Sequence, residues 1–533
     1  MLYIILLFSI SISQNFSYKS DDWFTISNPG AINSITSTHD EIYFCTDNGI
    51  YIYNLSTKSF AFEEDYLRTF HSSESMMIHY DEYRDYLWYL NKDDLNYKPR
   101  ISSFWRQIDF YELDVNSYRS IKNIGSNHFN VYLDLGHSII ALDPITGKYQ
   151  EELNENDFNQ INWSSSNYNT YYDNFDLSNY YSFEGFNIIS NNEIENNGRL
   201  IYITTIFKDR RNDYWIGTSS GEIFFCDSKM KSMKKIDSIP LISNINISYF
   251  DDYEEWWMST NDNILINDRM HISENPIFIS KWIELENKWI NYTKTQYSNI
   301  ESKDITSFCR IENWLYIGTN KGLLIFDINQ NKWSLIDKTN GLHSNVIYDL
   351  IYFNNNIYIA TELGINILTT FGNILIYQEV FNSFNNFTIY DLNIVNDNFF
   401  LATDIGVYQY SYKENIINKI ISDKYINIFV DNQNNFILSR RNKLYKLNNR
   451  RELILSTDQI KNLSFCNDYV WVNNINKAII INLKNNKILE YNQNDGIVGD
   501  IINHIDCDDS WVWFSTNKGI SMYNWNKYHN NEK

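Results

Sequence analysis

The chain carries nine histidines, five cysteines and 66 carboxylates, the side chains that could do acid–base, nucleophilic or metal chemistry. Their spacing argues against all three. The histidines at 39, 71, 79, 128, 137, 271, 343, 504 and 529 form no H-x-H, H-E-x-x-H or H-x-x-x-H pair, so a metal centre has no local signature. Cys45, Cys226, Cys309, Cys466 and Cys507 form no C-x-x-C spacing; Cys45, Cys226 and Cys309 each follow a phenylalanine in strand-like runs, and all five are read as small buried hydrophobes rather than a disulfide. No Walker loop or sialidase S-x-D-x-G-x-T-W box is present. Adjacent acids such as Asp81-Glu82, Asp251-Asp252, Glu254-Glu255 and Asp506–Asp509 are expected by chance in so acidic a chain. A glycosidase needs two facing carboxylates, and these runs are read as solvated turns. The expectation is a non-enzyme with no catalytic residue, no metal and no cofactor.

Composition narrows the class. A net charge of −22 leaves few clustered cations for phosphates, which excludes nucleic acid as a partner. Aromatics make up 17 %, enough apolar surface to offset the ordering entropy of a folded core. Met1–Ser13 is one short apolar run followed by Gln14 and Asn15. It reads as a cleaved signal peptide, placing the mature protein in the periplasm or outside the cell. No later run is long and apolar enough to span a membrane.

The elements that would position any site are repeats. Tyr43-Phe-Cys-Thr-Asp-Asn-Gly49, Trp215-Ile-Gly-Thr-Ser-Ser-Gly221, Tyr316-Ile-Gly-Thr-Asn-Lys-Gly322, Tyr358-Ile-Ala-Thr-Glu-Leu-Gly364, Phe400-Leu-Ala-Thr-Asp-Ile-Gly406 and Trp513-Phe-Ser-Thr-Asn-Lys-Gly519 each read strand, Thr-x-x-Gly hairpin, strand. Weaker copies place Asp93, Asn263, Asn442 and Asn476 where the glycine would stand, with Gly136 and Gly185 in two more. Asn and Asp are expected there because they tolerate the left-handed region. Gly322, Gly364 and Gly406 stand 42 residues apart, the spacing of four-stranded propeller blades. The fold expected is all-β: two β-propellers of four-stranded antiparallel blades, about six blades each, with seven as the alternative count.

The boundaries follow from one irregular spacing. Asn263 and Gly322 are 59 residues apart. The expected order is signal peptide 1–13, first propeller 14–270, linker 271–286, second propeller 287–525 and C-terminal tail 526–533. Each ring would be closed by its own first strand, at 22–27 and 287–292. A nested arrangement, one ring inserted in the other, is the alternative set aside because 271–286 reads as a linker. In such blades the d–a and b–c loops share a face, where variable loops on a rigid frame carry binding. The candidate ligand-binding residues are therefore Asp47, Asn48, Ser219, Ser220, Asn320, Lys321, Asn340, His343, Asn345, Glu362, Asn517 and Lys518, with His343 otherwise a solvated loop residue.

The units beginning Asn340-Gly-Leu-His-Ser-Asn-Val and Asp495-Gly-Ile-Val-Gly-Asp-Ile, with their Thr-x-x-Gly hairpins, resemble the two-component regulator propeller repeat. Asn-rich turns such as Asn354–Asn356 replace that family's Asp…Gly pair. The resemblance implies paired propellers like those of glycan-responsive hybrid sensors, or of PorZ-like type IX secretion proteins. A sensor of this kind without a kinase output would pass its signal to another protein. The function expected is an exported double propeller binding a glycan or an envelope protein. The alternatives are a PorZ-like secretion or envelope accessory and a propeller polysaccharide lyase or hydrolase.

Overall fold

The computed structural model describes residues 22–27, 29–63, 75–102, 104–150, 161–166, 175–182, 185–196, 199–236, 244–260, 264–266, 269–271, 277–283, 288–293, 299–430, 435–448 and 450–529. The signal-peptide segment 1–13, His71 and Asn263 lie outside them. The described chain is all-β, built from antiparallel blades as the repeat predicts.

The Thr-x-x-Gly hairpin explains itself in bond lengths. The hydroxyls of Thr46, Thr319, Thr361, Thr403 and Thr516 each donate to the carbonyl of the glycine three residues on, at 2.6–2.9 Å. Gly49, Gly322, Gly406 and Gly519 sit at φ between +126° and +145°, a region open essentially to glycine alone. The expectation that Asp or Asn would substitute there in kind is corrected: Asp93, Asn442 and Asn476 do not take positive φ. Asparagine is tolerated near φ +57°, not at these values, so those copies change the turn. At the first of them the Asn91 side chain accepts from the Asp93 and Asp94 amides. The left-handed asparagines stand at the a–b turns instead, as at Asn354 (φ +49°) and Asn355 (φ +60°), the pair a type I′ hairpin requires.

The C-terminal ring shows seven blade sheets among the described residues. The first comprises Ile245–Phe250, Glu255–Thr260, Ile277–Ile283 and Lys288–Thr293. Five regular blades follow, with innermost strands Ile305–Ile311, Ile347–Phe353, Ile389–Val395, Asn427–Val430 and Leu463–Cys466. The seventh takes three strands from Ile502–Cys507, Val512–Thr516 and Gly519–Tyr523, and its fourth from the other end of the chain, Trp23–Ser27. That strand pairs from Trp23 opposite Tyr523 to Ser27 opposite Gly519. Closure is completed where Asn503 Nδ2 donates to Asn244 Oδ1 and the Ile245 carbonyl at 3.1 and 3.0 Å.

This corrects the domain boundaries. The supposed linker 271–286 contains Ile277–Ile283, the third strand of a blade, and 287–292 falls in the fourth strand of that same blade. The 59-residue spacing arises from a small hairpin, Ile264–Ile266 with Arg269–His271, inserted between the second and third strands. The strand at 22–27 closes the C-terminal ring, not the N-terminal one, so the rings are nested. Within the segment 526–533, the described residues Asn526–His529 form a helical turn, and the His529 carbonyl accepts from the Tyr469 hydroxyl while its Nε2 meets the Tyr491 hydroxyl at 2.8 Å.

The inserted ring shows four blade sheets among the described residues, with innermost strands Ile32–Ser37, Ser75–Asp81, Asn123–Ser126 and Arg199–Lys208. Two short strands lie inside it. Asn162–Trp163 pairs with Asn123–Ser126, and Ser165–Ser166 pairs with Ile32–Ser37, so residues 161–166 run across between two blades. Gly185 heads no blade of its own: Phe186–Ser190 and Glu193–Asn196 form a hairpin on the first half of Arg199–Lys208.

The cysteine reading is also corrected. Cys466 and Cys507 form a disulfide with Cα atoms 6.1 Å apart, joining the innermost strands of the sixth and seventh blades. Cys45, Cys226 and Cys309 are free and buried. Cys466 and Cys507 are 41 residues apart, one blade repeat, so the repeat itself brings them side by side.

Candidate functional site

The predicted loop residues are divided between the rings, with Asp47, Asn48, Ser219 and Ser220 on the inserted one. Their polar groups are spent on their own turns. Asp47 accepts from the Ala31 amide and the Asn33 side chain at 3.0 and 2.9 Å, while Asn48 donates its amide to the Pro29 carbonyl. Ser219 and Ser220 are buried, and the Ser220 hydroxyl donates to Glu222 at 2.7 Å. On the C-terminal ring Lys321 pairs with Asp304 at 2.7 Å beside an exposed Asn320. Asn340 and Asn345 accept from the Asp337 and Lys338 amides at 3.1 and 2.8 Å. Asn517 clasps Asp500 at 2.6 Å, and the Lys518 amide donates to Thr516. Glu362 is exposed. His343 is half-buried rather than solvated, and burial lowers its pKa. These contacts assemble hairpins.

The acidic runs are corrected in part: Asp81 and Asp251 are buried anchors and Asp506 is half-buried, while Glu254 is exposed. Asp251 accepts the Trp257 indole N–H at 2.9 Å and meets Arg310 of the next blade. Asp209 holds Trp215 in the same way at 3.0 Å. Asp81 is fully buried and pairs with Arg84 at 3.1 Å. Asp506 accepts from the Ser464 hydroxyl at 3.0 Å and its own neighbour's amide at 2.9 Å, and burial pushes its pKa up to about 6.

Asp349 and Asp391 form a carboxyl pair in the C-terminal ring. Both accept from one amide, that of Leu392, at 3.1 and 3.0 Å, and they hydrogen-bond each other. Burial raises both, and Asp391 further because Asp349 stands beside it. Their remaining oxygens accept the Leu350 and Ile428 amides, each at 2.8 Å. Asn462 makes the equivalent stitch to Ile505 at 3.1 Å, and Ser34 to Ile78 at 3.3 Å in the inserted ring. The pair therefore laces one blade to the next. Their acceptor capacity is committed to backbone rather than to a substrate.

A cavity of about 150 Å³ opens on the inserted ring. Thr36, Ser37, His79, Tyr80, Phe207 and Lys208 line it from the ends of three innermost strands, with Asn162 and Trp163 from the crossing segment. The hairpin threonine Thr46 pairs with Ile32, at the other end of the same strand, so the cavity faces away from the predicted loops. Trp163 lies against Gly125, where any Cβ would come within 2.6 Å of the indole. Gly125 is what lets that ring lie flat on the strand. His79 is buried and its Nε2 meets the Ser126 hydroxyl at 2.9 Å, while its Nδ1 has no protein partner. Burial lowers its pKa to about 3, so the ring is neutral at pH 7. At the rim Arg210 pairs with Glu82. The sequence offered one signal for this site: Trp163 is an isolated aromatic in the polar run Asn159–Ser166, outside the repeat.

Neither a family model nor a curated protein matches the chain. Among solved structures it is similar to the extracellular domain of BT4673 from B. thetaiotaomicron, described as a hybrid two component system, at 14 % identity, 92 % of this chain, 74 % of that chain and TM-score 0.43. It is similar to PorZ, a surface component of the type-IX secretion system of Porphyromonas gingivalis, at 10 % identity, 93 % of this chain, 74 % of that one and TM-score 0.42. The extracellular domain of BT3049 from B. thetaiotaomicron follows at 14 % identity, 95 % and 83 % coverage and TM-score 0.32. At these identities the likeness is one of fold.

Proposed function

We propose that this protein is an exported, non-enzymatic binding module whose inserted propeller captures a glycan. The cavity beside Trp163 carries the reading. It combines an aromatic face with polar groups at the edge, Thr36, Ser37, Asn162 and Lys208, the combination of stacking surface and sparse hydrogen bonding that small-ligand sites use. The disulfide supports export, because such bonds persist in oxidising compartments. The backbone-committed aspartate pair supports binding over hydrolysis. The test is thermal unfolding against a panel of oligosaccharides, for the wild type and Trp163→Ala. A ligand bound only by the native state raises the midpoint, by about 2.7 kcal/mol of stability at 100 times Kd. The expected result is a selective rise that Trp163→Ala abolishes. No rise across the panel overturns the glycan reading in favour of a protein-docking scaffold.

A further inference from the structure

We propose that the cavity takes a hydroxylated carboxylate, a uronate residue at the end of a sugar chain, with its ring on Trp163 and its carboxylate toward Lys208. The inference rests on the binding reading above and adds charge and polarity to it.

The hydrogen-bond ledger of the lining supplies the charge. The carboxylates there are already engaged inside the protein. Asp209 Oδ1 accepts from the Arg211 and Asp213 amides at 2.8 and 3.0 Å, and Oδ2 takes the Trp215 indole at 3.0 Å. Thr36 Oγ1 accepts from the Tyr80 amide at 3.2 Å, and Glu82 is engaged by Arg210. Donors are left over. Among the described residues the Lys208 ammonium makes no ion pair; it stands 5.9 Å from the Tyr214 ring centroid. The Asn162 side chain is exposed at the edge. A site with surplus N–H donors and one uncommitted cation selects an acceptor-rich anion, since charge-assisted hydrogen bonds are about twice as strong as neutral ones.

The crossing segment supplies the polarity. Residues 161–166 bridge two innermost strands, and Asn162 and Trp163 wall the cavity on that side. A volume of about 150 Å³ corresponds to about five waters at their liquid volume, the scale of one sugar ring. On that scale a terminal residue of a sugar chain is the part the cavity seats.

The test is isothermal titration of the full mature chain with galacturonate oligomers and the matching neutral galactose oligomers, for wild type and Lys208→Gln. The expected result is at least tenfold tighter binding of the acidic series, a margin that narrows with salt and is lost in Lys208→Gln while neutral binding stays. Equal affinity for both series overturns the uronate assignment and leaves the binding reading standing. Binding of neither series, together with no response to the wider oligosaccharide panel, overturns both.

Discussion

Replacing Trp23 with alanine tests the nested topology at its seam. The side chain is 3 % exposed. It stacks on Tyr523 at 4.6 Å and on Phe514 at 6.0 Å, and Gly496 approaches so closely that a Cβ there would lie 3.0 Å from the indole. Every ring in that list belongs to the C-terminal propeller. Truncating a buried aromatic of this size costs about 3–5 kcal/mol. If that loss falls on the opening of the seventh blade, the amides of Gly519–Tyr523 lose protection by about three powers of ten, at 1.4 kcal/mol for each. Hydrogen exchange read by mass spectrometry resolves where the loss lands. Faster exchange in Gly519–Tyr523 and Val512–Thr516, with the inserted ring's Ser75–Asp81 unchanged, is the expected outcome. Unchanged exchange in Gly519–Tyr523 together with faster exchange in Glu255–Thr260 would refute the nesting, because it would place the N-terminal strand on the blade that a contiguous first ring needs to close.

Further outcomes follow from the same contacts. Cys466→Ser with Cys507→Ser removes a cross-link closing a loop of 41 residues, and chain entropy alone gives a loss of about 4 kcal/mol; denaturant melts with and without reductant check it, and a wild type insensitive to reductant argues against the bond. Asp506 has a folded pKa raised to about 6, so the folded state binds more protons than the unfolded one between about pH 4 and pH 6 and stability falls as pH rises through that window. Asp506→Asn keeps an oxygen for the Ser464 hydroxyl and should be more stable than wild type at pH 7, by on the order of 2 kcal/mol, yet equal to it near pH 4. Melts at both pH values decide, and an equal loss at both would refute a buried, proton-linked carboxylate.

The blade repeat was legible in the chain because its local chemistry is self-contained. A threonine that bonds a glycine carbonyl three residues on, and a glycine at φ beyond +120°, leave a residue-level mark wherever they occur. The Asn354-Asn355 turn is visible for the same reason. What the sequence could not decide is which strand sits beside which. Trp23–Ser27 carries the same edge-strand pattern whichever ring it joins; its choice of Gly519–Tyr523 depends on aromatic packing between residues about five hundred positions apart. The hairpin at 264–271 hid a third strand behind an insertion, so the pattern of a blade was read as a linker. The disulfide and the Asp349–Asp391 pair share that origin, since side chains one repeat apart become neighbours only after the blades pack. The candidate site is tertiary in the same sense. Trp163 lies outside the repeat, and only the crossing of residues 161–166 over Gly125 brings it to His79 and Lys208.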